Sequence, residues 1–164
     1  QRYRKNIRNQ KMKAVIQRVT GASVVIDGNV YNKIGKGILI LLGVCKDDSD
    51  ENSKALARKI IDLRIFPDDN YKMNLSVKDI EGEVLVISQF TLCSDNGKSG
   101  NRPSFVLAEE PERANSLYEL LISEMRSYYN SEKIKTGLFA AKMNINLTND
   151  GPVTIILERN SIEK

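Results

Sequence analysis

Ile38-Leu39-Ile40-Leu41-Leu42-Gly43-Val44 is the stretch on which the fold turns. The run is too short for a core helix and lacks the alternation of a half-wet strand, so it reads as a central strand buried on both faces. On its N-terminal side, Ala14 to Val19 alternates between apolar and polar residues. Ala22 to Ile26, then Asp27-Gly28 and Val30-Tyr31, reads as a hairpin with a tight turn. On its C-terminal side, Asp47-Asp48-Ser49-Asp50 offers capping oxygens. Ala55, Leu56, Ile60, Ile61 and Leu63 then recur at helical spacing up to Pro67, which predicts a first helix.

Further along, Asp68-Asp69-Asn70 is turn-like, and Val84 to Phe90 is a second apolar strand running directly into Thr91. Ser94 to Pro103 is a loop rich in Ser, Asn, Gly and Lys. Pro111 opens a second helix with Leu117, Leu120, Leu121, Met125 and Tyr128 on one stripe. Met143 to Leu147 alternates strictly, and Asn149-Asp150-Gly151-Pro152 is expected to turn the chain into a last strand, Val153 to Leu157. No repeat or linker interrupts the pattern. It predicts a single mixed α/β domain: a mainly antiparallel, barrel-like sheet with two principal helices.

The 164 residues and 41% apolar content suit one domain with a real core. No apolar run approaches the ~20 residues of a membrane span, and the start of the chain is too polar for a secretory signal. The expectation is a cytoplasmic protein without a membrane partner. Cys45 and Cys93 each stand alone, so neither a zinc cluster nor a disulfide framework is indicated, and reduced thiols are expected. The net charge of +4 is local: residues 1 to 13 hold six Lys or Arg and no acid, leaving 19 basic against 21 acidic residues elsewhere. Residues 1–11 read as a basic, loose extension that could hold phosphates, before a domain over 12–164.

Histidine is absent. That removes Ser-His and Cys-His nucleophile pairs, imidazole bases and His-held metals together. Carboxylates such as Asp47 and Asp48 are too scattered for a ligand cluster, so no metal or cofactor is expected. Two strand-end segments remain as candidates for chemistry, Ser88-Gln89-Phe90-Thr91-Leu92 and Asn149-Asp150-Gly151-Pro152-Val153-Thr154. Hydroxyls at a strand end often only satisfy backbone groups, and Gly-Pro often only makes a connection. Composition leaves both readings open.

Those two segments, taken with their surroundings, resemble the signatures of the D-aminoacyl-tRNA deacylases. The resemblance runs from Met12 to about Glu158 and includes Gln17-Arg18-Val19, Leu41-Leu42-Gly43-Val44, Arg64-Ile65-Phe66, Lys72-Met73-Asn74-Leu75, Arg102-Pro103-Ser104-Phe105 and Thr136 to Met143. It implies a homodimeric hydrolase that cuts the ester of D-aminoacyl-tRNA, and of glycyl-tRNA, while rejecting the L-form. Gly151 and Pro152, in the cis form, would be the chirality filter in the opposite subunit's site. Ser88, Gln89, Phe90 and Thr91 would form the catalytic segment, and Phe139, Ala140, Ala141 and Met143 the pocket for the terminal adenosine. Cys93 reads as a bystander. The alternatives are a non-catalytic RNA- or DNA-binding protein, which the near-neutral body disfavours, a cysteine hydrolase, and a metal-dependent esterase.

Overall fold

Alternation and apolar runs become one curled sheet with two helices on its outer face. The computed structural model describes residues 11–95 and 100–159; apart from Lys11, the basic extension lies outside them. In chain order the main elements are β1 (Met12–Ile26), β2 (Asn29–Ile34), β3 (Gly37–Gly43), α1 (Asp50–Ile61), β4 (Phe66–Pro67), β5 (Met73–Leu75), β6 (Glu83–Ser88), α2 (Pro111–Tyr128), β7 (Ile134–Thr136) and β8 (Asn144–Arg159). A 3-10 turn, Phe90–Cys93, follows β6.

The large sheet runs β2-β1-β3-β6-β7, with β8 on the other side of β1. Every pairing of β1 is antiparallel, whereas β3 with β6 and β6 with β7 are parallel. The parallel pairs follow from the connections, since a helix separates β3 from β6 and another separates β6 from β7. Asn32 Nδ2 donates to the Thr136 carbonyl at 2.7 Å, drawing β2 toward β7 and nearly closing the barrel. Central burial explains the apolar run. Ile38, Ile40 and Leu42 face the helices with Leu56, Ile60, Leu117 and Leu121, while Leu39 joins Val19, Val24, Leu85 and Ile87 inside the curl.

Ser49 caps α1, its hydroxyl accepting from Asn52 N at 3.3 Å. Beside it Asp48 is buried, and its carboxylate accepts from Met12 N at 3.0 Å, Cys45 N at 2.8 Å and Asn52 Nδ2 at 3.0 Å. Burial outweighs these bonds and pushes the carboxyl up to about 6. The α2 stripe is buried through Ala114, Leu117, Tyr118, Leu121, Ile122 and Met125, with Leu120 and Tyr128 only half-buried.

Three expectations change. The stretches Ala14–Val19 and Ala22–Ile26 form one strand, because β8 pairs with β1 along its length and bridges the weak spot at Thr20-Gly21. The apolar stretch from Val84 stops being strand at Ser88, where Gln89 N still donates to the Leu42 carbonyl at 2.7 Å before the 3-10 turn begins. Asn149 to Pro152 does not reverse the chain. It is an excursion inside the continuous β8: Asn149 pairs with Val19 and Thr154 with Gln17, so four residues stand opposite Arg18.

Candidate active site

A cleft of about 720 Å³ opens where β3 and β6 end. Its walls come from Ser88, Gln89 and Phe90 on one side and from Phe139, Ala140, Ala141 and Met143 on another. Two groups of residues singled out from the sequence, about 50 positions apart, thus share one cavity because β7 lies parallel beside β6.

The segment that follows β6 is positioned by close packing. A Cβ on Gly43 would lie 2.8 Å from Leu92 Cβ and 3.3 Å from the Gln89 carbonyl oxygen, so only glycine lets the 3-10 turn sit on β3. Phe90 is 58% exposed and meets Phe105 edge-on at 5.2 Å. Thr91 is exposed on the turn and is not part of the cleft wall. Its hydroxyl accepts from Gln89 Nε2 at 2.6 Å. The first N–H groups of such a turn, those of Phe90 and Thr91, have no partner within it.

On the other wall, Leu138 to Ala141 make a turn closed by Ala141 N to the Leu138 carbonyl at 3.2 Å. Ala140 takes φ 63 there, a conformation that costs a non-glycine residue about 1–2 kcal/mol. Phe139 leans on Tyr118 at 6.0 Å, and Tyr118 donates to the Val86 carbonyl at 2.9 Å. Burial pushes the Tyr118 hydroxyl up, so it stays a neutral donor.

The sequence reading did not assign Lys46, Val106, Glu109 or Glu110, which also line the cleft. Phe105, also on the wall, had appeared only as the end of the segment Arg102-Pro103-Ser104-Phe105. Lys46 N donates to the Leu107 carbonyl at 2.9 Å and Glu109 N to the Val44 carbonyl at 3.1 Å, so the 107–109 segment is stitched along the end of β3.

Cys45 and Cys93 are not free thiols: they form a disulfide. Spacing along the chain gave no hint of this, because their Cα atoms come within 5.7 Å only when the 3-10 turn folds back over β3. Cys93 therefore presents no thiolate for a cysteine hydrolase.

Gly151 and Pro152 lie elsewhere. They stand opposite Arg18, which is level with Ile38, while Ser88 is level with Leu42. That is about 13 Å along the strands and three strand spacings of about 4.8 Å across the sheet. Both residues are exposed, their peptide bond is cis, and Gly151 takes φ 136. The excursion is held from behind. Arg18 Nε donates to the Asp150 carbonyl at 3.0 Å, Arg18 Nη1 to the Ile65 carbonyl at 2.7 Å, and Val153 N to Asn149 Oδ1 at 2.8 Å.

The whole arrangement has a known counterpart. The chain matches the D-Tyr-tRNA(Tyr) deacylase family over residues 15–158. It belongs to that family. The D-aminoacyl-tRNA deacylase of Persephonella marina is 53% identical over 151 residues, covering 92% of this chain and all of the relative. Among solved structures, a c-Myc DNA unwinding element binding protein is 43% identical with a TM-score of 0.87, and a probable eukaryotic D-amino acid tRNA deacylase shares the fold at 15% identity and a TM-score of 0.78. Each covers 92% of this chain and 100% of its own. Membership makes this a chain of a hydrolase family, and none of its described helices is long and apolar enough to cross a membrane.

Proposed function

We propose that this protein hydrolyses the ester of D-aminoacyl-tRNA, releasing the D-amino acid and tRNA in the cytoplasm. One observation carries the reading: a single cleft joins Ser88, Gln89 and Phe90 to an apolar slot of Phe139, Ala140, Ala141 and Met143. The slot is wide enough and apolar enough for a terminal adenine, and the exposed Phe90 and Val106 extend its rim.

Without histidine, the Thr91 hydroxyl has no strong base to activate it, and it already accepts from the Gln89 amide. Gln89, Thr91 and Ser88 orient the substrate. The N–H groups of Phe90 and Thr91 hold the developing oxyanion, each such donor contributing about 2.7–4 kcal/mol. The neighbouring ribose 2′-hydroxyl helps water attack. A substrate ending in 2′-deoxyadenosine is expected to be cleaved far more slowly; an undiminished rate returns the nucleophile's role to Thr91.

Selectivity comes from the Gly151-Pro152 excursion of a second copy. Within one chain the excursion is at the wrong end of β3 to meet the cleft, yet it is exposed and braced as an inserted element needs to be. Its carbonyls accept the substrate ammonium and fill the direction an L side chain would take. Rejection by exclusion is indifferent to the D side chain and passes glycine, so glycyl-tRNA is a second substrate. Among the described residues no strand covers the outer edge of the 16-residue β8, where Ile156 is 65% exposed, and that edge would meet the copy.

The 43%-identical relative named for DNA-element binding favours a second reading, a nucleic-acid binder without catalysis. Paired deacylation of D-tyrosyl-tRNA and L-tyrosyl-tRNA on the same tRNA decides between them. The hydrolase reading requires rapid release from the D-form alone. Equal rates, or none, overturn it.

A further inference from the structure

Cys45 and Cys93 are both fully buried, and each belongs to the frame of the cleft without having a part in the hydrolysis. Cys45 follows β3, donates its N–H to Asp48 Oδ2 and bridges to Ala108. Its neighbours Val44 and Lys46 hold the 107–109 wall by the two hydrogen bonds given above. Cys93 closes the turn that carries Phe90 and Thr91. The disulfide therefore ties the turn to the end of β3 on which the 107–109 segment is stitched.

We propose that this pair is a redox-modification site, at which a thiol–disulfide exchange reagent sets the position of the Phe90–Cys93 turn, the disulfide form being the faster deacylase. The proposal rests on the hydrolase reading above. Opening the bond leaves the two segments it joins free to part. Cys45 is fixed by β3, by Asp48 and by the 107–109 segment, and Gly43 leaves no slack below Leu92 and Cys93. Gln89 N holds the entry of the turn to the Leu42 carbonyl at 2.7 Å, but beyond it the bond that keeps the turn wound, Leu92 N to the Gln89 carbonyl, is 3.3 Å long. Displacement consequently falls on Phe90 and Thr91, where a shift of about 1 Å can cost about 100-fold in rate.

The exchange balances simply. A dithiol passes two electrons and two protons to Cys45 and Cys93, leaving as its cyclic disulfide. Hydrogen peroxide reverses the step, taking both thiol protons and both electrons and leaving as water. In a reducing compartment the pair would be open by default and closed under oxidation.

The test uses the wild-type chain in both states, reduced with dithiothreitol and reoxidised with peroxide, with thiols counted after denaturation and D-tyrosyl-tRNA deacylation followed at saturation. Two thiols per chain should appear as kcat falls about 100-fold, and reoxidation should restore both values. Cys93→Ala and Cys45→Ala should sit at the reduced rate, unmoved by dithiothreitol and not raised by peroxide. Complete reduction with unchanged kcat, even with a lower Tm, would mean that the bond only stabilises the fold, and the proposal fails. Absence of deacylation in both states sinks the hydrolase reading as well, so the two failures are told apart.

Discussion

The two ends of β3, level with Lys13 and with Arg18 of β1, are built on opposite plans. Near Met12 and Lys13 lies the cleft end, locked within its own chain by a disulfide, by the glycine contact beneath the turn and by the buried Asp48 carboxylate. Near Arg18 the Gly151-Pro152 excursion is exposed in front and braced behind, the Arg18 side chain being only 11% exposed. A reacting site needs its groups fixed relative to one another inside one chain. An element offered to another chain needs the same rigidity, but with its working face open.

Breaking the exposed end should have the largest effect. At φ 136, alanine in place of Gly151 is strained, and its Cβ would come 2.8 Å from Val153 Cγ2 and 3.0 Å from Val153 N. Gly151→Ala is expected to lower kcat/KM about 100-fold by displacing the proposed filter, while the cleft keeps its geometry and the thermal transition falls by a few degrees. The division of labour between ends gives a sharper check. On the proposed pairing, unfolding and refolding Gly151→Ala together with a Gln89→Ala chain should restore about a quarter of the wild-type sites, because half of such dimers would be mixed, each with one intact cleft facing one intact filter. No recovery would place filter and cleft in the same chain.

At the cleft end, Ala141→Leu adds bulk to the slot without touching the 3-10 turn. KM for D-aminoacyl-tRNA should rise about tenfold with kcat little changed, the pattern of lost uniform binding. A fall in kcat alone would mean that the slot shapes the reacting atoms rather than holding the base.

The contrast also explains what the sequence could tell. Ile38 to Val44 announced the centre of the sheet because burial on both faces leaves a continuous run. Ser49 and Pro111 marked their helix starts through local chemistry. The parallel pairings, the excursion within β8 and the Cys45–Cys93 bond were not legible, since each depends on where a distant strand docks. The same holds at the site. Ser88 to Phe90 and Phe139 to Met143 could be named from their motifs, yet Lys46 and Glu109 enter the cleft only through the pairing of residues 107–109 with the end of β3.

Lys46 is the one cation among the described residues lining the cleft, facing Glu109 and Glu110 there. A nucleotide phosphate entering the cavity is drawn to Lys46 and repelled by the two carboxylates. Lys46→Met should raise KM about threefold and flatten the dependence of log KM on log salt by about 0.7, the value for one phosphate contact on a single strand. An aminoacyl-adenosine lacking the phosphate should be cleaved equally by both proteins. Sensitivity of that small substrate to the substitution would give Lys46 a different task.

The smallest effect on rate, and the most direct measure of how the cleft end is locked, belongs to Asp48. Its carboxyl rises from 3.8 to about 6, because desolvation outweighs the N–H donors of Cys45, Asn52 and Met12 and Glu109 adds repulsion. The folded chain therefore holds that proton more tightly than the unfolded chain. The group's contribution to stability is complete below about pH 4, is lost as pH rises through about 6, and amounts to about 3 kcal/mol. Asp48→Asn cannot titrate and must set its amide nitrogen against an N–H donor at one position, a mismatch of about 1–3 kcal/mol. Subtracting the variant's unfolding free energy from that of the wild type removes the titrations common to both, including the lowered carboxyls of Asp68 and Asp79. The difference should shrink between about pH 4 and 6 by up to about 3 kcal/mol, with deacylation at neutral pH little altered. If the difference stays flat, Asp48 is ionised throughout, and the cleft end is held by a permanent buried charge rather than by one that burial strains.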